Sequence, residues 1–118
     1  EQFFVGGVKY IINRLIEDAS DYIVKDRAIL AVIEYMHNHI SEKISNETLA
    51  SIAYMSEGAF IKRFKKVMGE TPHSFLRHIR LDMAYYLKEQ GNTLETIAEK
   101  VGYSDGIALL HAMKGSQK

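Results

Sequence analysis

The feature that most restricts how this chain can fold is a capped, amphipathic helix pattern that occurs twice. In the first copy, Phe60, Phe64 and Val67 recur at helical spacing, so one side of the helix is apolar. Ser56 can accept hydrogen bonds from the free amides of the first turn, and Gly69 suits the left-handed stop after the last turn. The pattern therefore predicts a short helix between these two residues.

A shorter helix precedes this one, and a tight turn joins the two. Ser45 or Asn46 can cap the shorter helix, which is predicted to run from Glu47 to about Tyr54. Two short helices with a tight junction and small residues at their crossing are typical of a helix-turn-helix. The second helix would present five residues outward: Gly58, Ala59, Ile61, Lys62 and Lys65.

A long helix is predicted after this unit, and the pattern then returns. Thr71 suits the N-cap and Pro72 the first position of the long helix, which is predicted to reach Glu89 and to end at Gly91. The second copy contains a helix capped by Asn92 or Thr93, a turn at Gly102–Tyr103, and a last helix, capped by Ser104 or Asp105, from Gly106 to about Lys114.

The last helices of the two copies align residue by residue, and Leu49–Ala50 pair with Ile97–Ala98 once one residue is inserted in the turn. Placing Asp105 on Ser56 puts Leu109 on Phe60, and the same register puts Met113 on Phe64. We therefore predict an all-α fold in which two helix-turn-helix units, at residues 46–69 and 93–115, are joined by a long central helix at 72–90.

Residues outside the repeat complete the predicted organisation. A further helix, capped by Asp26, is expected to extend to about Ile40 in front of the first unit, so the domain is predicted to cover 24–118. Residues 1–23 are too short to fold alone. We interpret them as a linker or the tail of an upstream domain, or as a helix that packs on this domain or on a second copy of the chain.

The charge is unevenly distributed although the net charge is zero. Residues 1–57 hold nine acids and five bases, and residues 58–118 hold six acids and ten bases. Between Phe60 and Arg80 there is one acid and a set of six bases: Lys62, Arg63, Lys65, Lys66, Arg77 and Arg80. A local basic cluster of this kind favours a nucleic-acid partner.

Composition excludes several other classes. The chain has no cysteine, so disulfides, thiolate metal sites and a cysteine nucleophile are excluded. No apolar run approaches the roughly 18 residues of a membrane span. No carboxylate pair, metal-ligand spacing or glycine-rich phosphate loop stands out. We therefore expect no enzyme activity, no metal, no cofactor and no membrane association, and a cytoplasmic location.

An ordered set of residues runs through both units and the helix between them: Leu49–Ala50, Ser56, Phe60, Lys62, Phe64–Lys65, Gly69–Glu70–Thr71–Pro72, Arg80–Leu81, Ala84, Leu87, Ile97–Ala98 and Val101–Gly102–Tyr103. This set resembles the DNA-binding domain of the AraC/XylS family of bacterial transcription regulators. The resemblance covers about residues 26–115. Residues 1–23 also weakly resemble the end of the cupin-type sensor domain and linker that some members carry.

The resemblance implies that both second helices enter the major groove of double-stranded DNA. In the first unit, Gly58, Ile61 and Lys62 would face base edges, where lysine can donate to guanine and isoleucine can contact a thymine methyl. Lys65, Lys66 and Arg77 would contact phosphates. The remaining first-unit positions in the implied site are Ser56, Glu57 and Ala59. Amides near Ser56 and Asp105 could also hold phosphates, although the aspartate charge opposes this. Arg80 would form either a salt bridge or a phosphate contact.

The second unit departs from the family pattern. Its implied DNA-binding residues are Gly106, Ile107, Leu110 and His111, and at the last three positions the family usually shows polar residues and an arginine. The chain stops at Lys118, without the usual closing helix. An exposed pair of Ile107 and Leu110 would be consistent with weak DNA binding, with a protein contact, or with an altered C-terminus.

Two functions follow. The first is a sequence-specific regulator of transcription that is located on the nucleoid and acts with RNA polymerase. Formation of a homodimer, through residues 1–23 or through an absent sensor domain, stays open. The alternative is a protein-interaction module that keeps the fold but has lost independent DNA recognition, which the zero net charge and the apolar last helix would favour.

Overall fold

A computed structural model describes residues 26–116, and its described part is helical. The helices are α1 (Arg27–Asn38), α2 (Asn46–Ile52), α3 (Glu57–Met68), α4 (Pro72–Glu89), α5 (Leu94–Val101) and α6 (Gly106–Ser116). The prediction of two helix-turn-helix units, α2–α3 and α5–α6, joined by the long α4 is confirmed. The interpretations of residues 1–23 lie outside the described residues. No helix of the described part combines the length and apolarity that a membrane crossing needs.

Local capping sets most helix ends. The side chains of Asp26, Ser45, Ser56, Thr71 and Thr93 each accept a hydrogen bond from a backbone amide in the first turn of the following helix. These bonds satisfy amides that the helix itself cannot pair. The predicted starts of the helices are therefore correct to within a residue or two.

Helix α2 ends two residues earlier than predicted. It stops at Ile52 rather than near Tyr54, because Tyr54 adopts a left-handed backbone conformation with φ of 58°. This conformation cannot continue a right-handed helix. When Leu49–Ala50 are aligned with Ile97–Ala98, Tyr54 corresponds to Gly102, which is also left-handed.

One connected apolar core holds the helices together. In the first unit, Phe60 and Phe64 are fully buried, and Phe64 forms a T-shaped pair with Phe75 from α4, with 5.6 Å between the ring centroids. In the second unit, Leu109 and Met113 take the equivalent buried places. Helix α4 contributes core residues along its whole length, so each unit is positioned by the same rod.

Candidate nucleic-acid interface

The outer face of α3 is exposed and basic. Because Phe60 and Phe64 point into the core, the opposite side of the helix faces solvent, and Lys62, Lys65 and Lys66 all lie there exposed. Gly58 shares this face, and a Cβ placed on it would meet nothing within 4 Å. The arrangement gives a cationic ridge with an open space at its N-terminal end.

The start of α3 is neutral at its cap but acidic in its first turn. Ser56 Oγ accepts a hydrogen bond from the Ala59 amide at 3.3 Å, and the side chains of Ser56, Glu57 and Ala59 are exposed.

Ile61 differs from the prediction in part. It is only partly exposed and packs against the core, because it lies at the edge of the apolar stripe rather than opposite it.

Arg63 does not belong to the open basic face. Its Nε donates to Asp26 Oδ2 at 2.7 Å, and the Asp26 side chain is only 6% exposed. The same carboxylate accepts a hydrogen bond from the Ile29 amide at 3.2 Å and so caps α1. Arg63 is one of the six bases between Phe60 and Arg80, but its charge ties α3 to the start of α1.

Arg80 is a structural residue. Its Nε donates to the Ile40 carbonyl oxygen at 3.0 Å and its Nη2 to the Glu42 carbonyl oxygen at 2.7 Å. Its guanidinium also lies beside Gly102, in the turn of the second unit. Burial lowers the pKa of Arg80, and nearby Tyr103 opposes this shift. The interactions are with backbone carbonyls rather than with the carboxylate that a salt bridge requires.

Arg77 lies near the second unit. Its side chain is exposed, and its Nη2 lies 3.7 Å from the place of a Cβ on Gly115, in the last turn of α6. A cation there also complements the negative end of that helix. The Arg77 guanidinium is thus accessible to a DNA phosphate, and α4 places it beside α6 of the second unit.

The outer face of α6 carries one strongly exposed apolar side chain. Ile107 is 65% exposed, and His111 and Lys114 are exposed on the same side of the helix. Leu110 is only partly exposed, because it stands at the edge of the buried stripe of Leu109 and Met113. The expectation of an exposed Ile107/Leu110 pair is therefore correct only for Ile107.

The N-terminus of α6 is closed by carboxylates. Asp105 Oδ1 accepts from the Ala108 amide at 2.8 Å, and Glu95 Oε2 accepts from the Gly106 amide at 3.0 Å. Gly106 is buried, and a Cβ there would lie 2.7 Å from the same Glu95 oxygen. The predicted phosphate site near Asp105 is wrong, since two negative side chains already use these amides, and Gly106 is a packing residue.

Sequence reasoning missed Tyr54 as an exposed site. It lies in the turn of the first unit, and its side chain is 95% exposed. The signal was present in the repeat, because Tyr54 corresponds to Gly102 when Leu49–Ala50 are aligned with Ile97–Ala98. An aromatic residue where the second copy has glycine indicates a left-handed backbone position, which a residue other than glycine adopts at a cost in conformational free energy.

Comparisons with known proteins agree with this geometry. The profile of the helix-turn-helix domain family matches residues 49–115. The chain is 31% identical over 87 residues to the probable transcriptional regulator LumQ of Photobacterium leiognathi, covering 73% of this chain and 35% of that protein. It is 37% identical over 75 residues to the RCS-specific HTH-type transcriptional activator RclR of Escherichia coli (strain K12), covering 63% of this chain and 26% of that protein.

A solved structure shares the fold. The DNA-binding domain of AdpA, described as a global transcriptional factor and crystallised with a target DNA, superposes with a TM-score of 0.69 at 28% identity. The match covers 74% of this chain and 79% of that one. The chain spans about a third or less of the length of the curated relatives given above.

Proposed function

The chain belongs to the AraC-type family of helix-turn-helix domains, and from this we propose that it binds specific sequences of double-stranded DNA as part of a transcription regulator. The observation that carries the proposal is the outer face of α3. Lys62, Lys65 and Lys66 are exposed there, directly behind the Phe60–Phe64 core that fixes the helix. A helix supported in this way can enter a major groove without disturbing the fold.

The three lysines are assigned different roles. Lys62 lies nearest the centre of the outer face and can donate to guanine O6 or N7. Lys65 and Lys66 flank it and are assigned to the phosphates on either side of the groove. Gly58 leaves open space at the N-terminal end of α3, which permits a close approach to the base edges.

Helix α4 determines the distance between the two units. It has 18 residues, which at about 1.5 Å per residue gives a rod of about 27 Å. Successive major-groove sites on one face of a duplex lie about 34 Å apart. The proposal is therefore that α3 and α6 bind two half-sites on the same face of the DNA.

The remaining features of the whole protein are proposals of the same kind. The relatives named above are a transcriptional regulator and an activator. We assign this protein the same class of role, with RNA polymerase as a partner and with a place on the nucleoid in the cytoplasm. Dimerisation would involve residues 1–23 or a further domain, and no catalytic activity is assigned.

The test begins with selection of bound duplexes from a random pool, using the chain as it is. Lys62→Ala should then weaken binding to the selected site by about 1–3 kcal/mol and relax the base preference at one position. Lys66→Ala should weaken all sequences alike and reduce the slope of log affinity against log salt by about 1. Lys88→Ala, an exposed lysine outside α3 and α6, is the charge-matched control.

The outcomes separate the functions. Two enriched boxes spaced by about 10 base pairs would support groove binding by both units. A single box would assign recognition to α3 alone. The folded chain enriching no sequence, or Lys62→Ala weakening every sequence equally, would contradict the proposal. Salt-insensitive self-association without duplex binding would favour the protein-interaction module.

A further inference from the structure

We propose that Ile107 recognises the C5-methyl group of a thymine in the half-site bound by α6. This inference rests on the proposed function and adds a base preference to it. The side chain of Ile107 is 65% exposed and carries no group that could form a hydrogen bond to a base edge. The thymine methyl is the apolar feature that the major groove offers to such a side chain.

The position of Ile107 within α6 fits this role. It lies in the first turn, and recognition helices contact bases mainly through their N-terminal residues. It faces away from Leu109 and Met113, which are buried in the core. In the register of the repeat it corresponds to Gly58, the open position of α3. The two units therefore present different groups at the same place, a hydrogen atom in α3 and a branched alkyl group in α6.

The surroundings of Ile107 indicate a single base rather than a protein partner. The exposed residues one and two turns further along the same face, His111 and Lys114, are polar or charged, and Leu110 is partly covered. An isolated exposed apolar side chain is too small to form a protein-binding patch, which needs several hundred square ångströms. It is the right size to cover one methyl group.

The closed N-terminus of α6 supports the same reading. Glu95 and Asp105 occupy the amides of Gly106 and Ala108, so the first turn cannot hold a phosphate through those amides. The outward side chain of Ile107 remains exposed in this turn. Ile107 is therefore the group through which this end of α6 contacts the duplex.

The experiment removes the methyl group without changing base pairing. Each thymine of the selected duplex is replaced, one at a time, by deoxyuridine, and dissociation constants are measured by fluorescence anisotropy with the full chain. One deoxyuridine in the α6 box should weaken binding about fourfold, as expected for the loss of one buried methyl group. Ile107→Ala should bind the thymine duplex several-fold more weakly and should no longer distinguish it from the deoxyuridine duplex.

Two further variants make the test specific. Ile107→Val keeps a branched apolar side chain and should retain the discrimination. Lys114→Ala should weaken both duplexes equally and leave the fourfold ratio unchanged. Circular dichroism melts should show all variants folded, because both side chains are exposed.

The results distinguish a failure of the role of Ile107 from a failure of the proposed function. Tight, sequence-specific binding with no deoxyuridine effect in the α6 box, or with an effect that Ile107→Ala leaves unchanged, would overturn the role of Ile107 while the proposed function stands. A selected α6 box without thymine would do the same. Failure of the folded chain to bind any duplex would overturn the proposed function, and this inference with it.

Discussion

Replacing Asp26 by alanine would remove two interactions that meet on one carboxylate. Oδ1 caps α1 through the Ile29 amide, and Oδ2 accepts from Arg63 Nε of α3 at 2.7 Å. The Asp26 side chain is 6% exposed and that of Arg63 is 51% exposed. The carboxylate therefore joins the first helix of the described part to the helix assigned to DNA.

The expected cost can be worked out from these two contacts. Loss of an aspartate N-cap costs about 1 kcal/mol. Loss of the charged hydrogen bond adds about 1 kcal/mol, at the low end of the range because Arg63 is half exposed and its charge is screened by water. Asp26→Ala should therefore destabilise the fold by about 2 kcal/mol, equivalent to a fall of about 10 °C in Tm.

The assay is urea denaturation followed by circular dichroism, with two variants that separate the contributions. Asp26→Asn keeps a good capping side chain and should lose only the ionic part, about 1 kcal/mol. Arg63→Ala should cost a similar amount. Because both changes break the same contact, the double variant Asp26→Asn/Arg63→Ala should cost little more than either single one.

Two results would refute this reasoning. Asp26→Asn as stable as the original chain would show that the ion pair contributes nothing. Fully additive losses in the double variant would show that the two residues act independently. A fall in DNA affinity without any loss of stability in Arg63→Ala would instead mean that Arg63 contacts DNA.

Three further predictions concern stability. Gly102→Ala should lower the free energy of unfolding by roughly 2–3 kcal/mol, because φ is +89° and the new Cβ would lie 2.9 Å from the Ile40 carbonyl oxygen. The control Gly69→Ala, with φ of +83° but nothing within 4 Å of the new Cβ, should lower it by only about 1 kcal/mol in the same denaturation assay. Tyr54→Gly should raise the free energy of unfolding by roughly 0.5–1 kcal/mol, since it relieves a left-handed conformation and the lost ring is 95% exposed; a lower Tm would contradict this. Burial lowers the pKa of His37, so its side chain takes up a proton more readily in the unfolded chain than in the folded one. The neutral His37 side chain therefore contributes stability that is full above about pH 6.5 and is lost as the pH falls through the folded-state pKa. His37→Gln should therefore lose less stability between pH 8 and pH 5 than the original chain. Equal losses would show that His37 does not cause this pH dependence.

Interactions between residues close in sequence were predictable. Helix α3 begins after Ser56 and ends before Gly69, as expected. Ser56 and Thr71 each cap their helix by accepting a hydrogen bond from an amide three residues further along the chain. The buried roles of Phe60 and Phe64 follow from helical spacing, as do those of Leu109 and Met113. The exposed Lys62 of the candidate site was predicted in the same way, as a residue opposite the apolar stripe.

The roles of the arginines could not be predicted in the same way. Arg63 and Arg80 look like members of one basic cluster in the sequence, yet each has partners about forty residues away along the chain. Leu110 and Ile61 lie at the edge of an apolar stripe, where a small rotation of the helix decides between exposure and burial. Glu95 caps α6 from a different helix, which no local pattern reveals.

By itself, the sequence determined the helices, their order and the pairing of the two units, because caps, turns and apolar periodicity act within a few residues. Only the tertiary structure decided which cations are free for a partner. Asp26 pairs with Arg63, and the carbonyl oxygens of Ile40 and Glu42 accept hydrogen bonds from Arg80. Packing α1 against the rest of the domain brings these acceptor oxygens to the two arginines. Lys62 stays available since the core places it on the opposite side of α3.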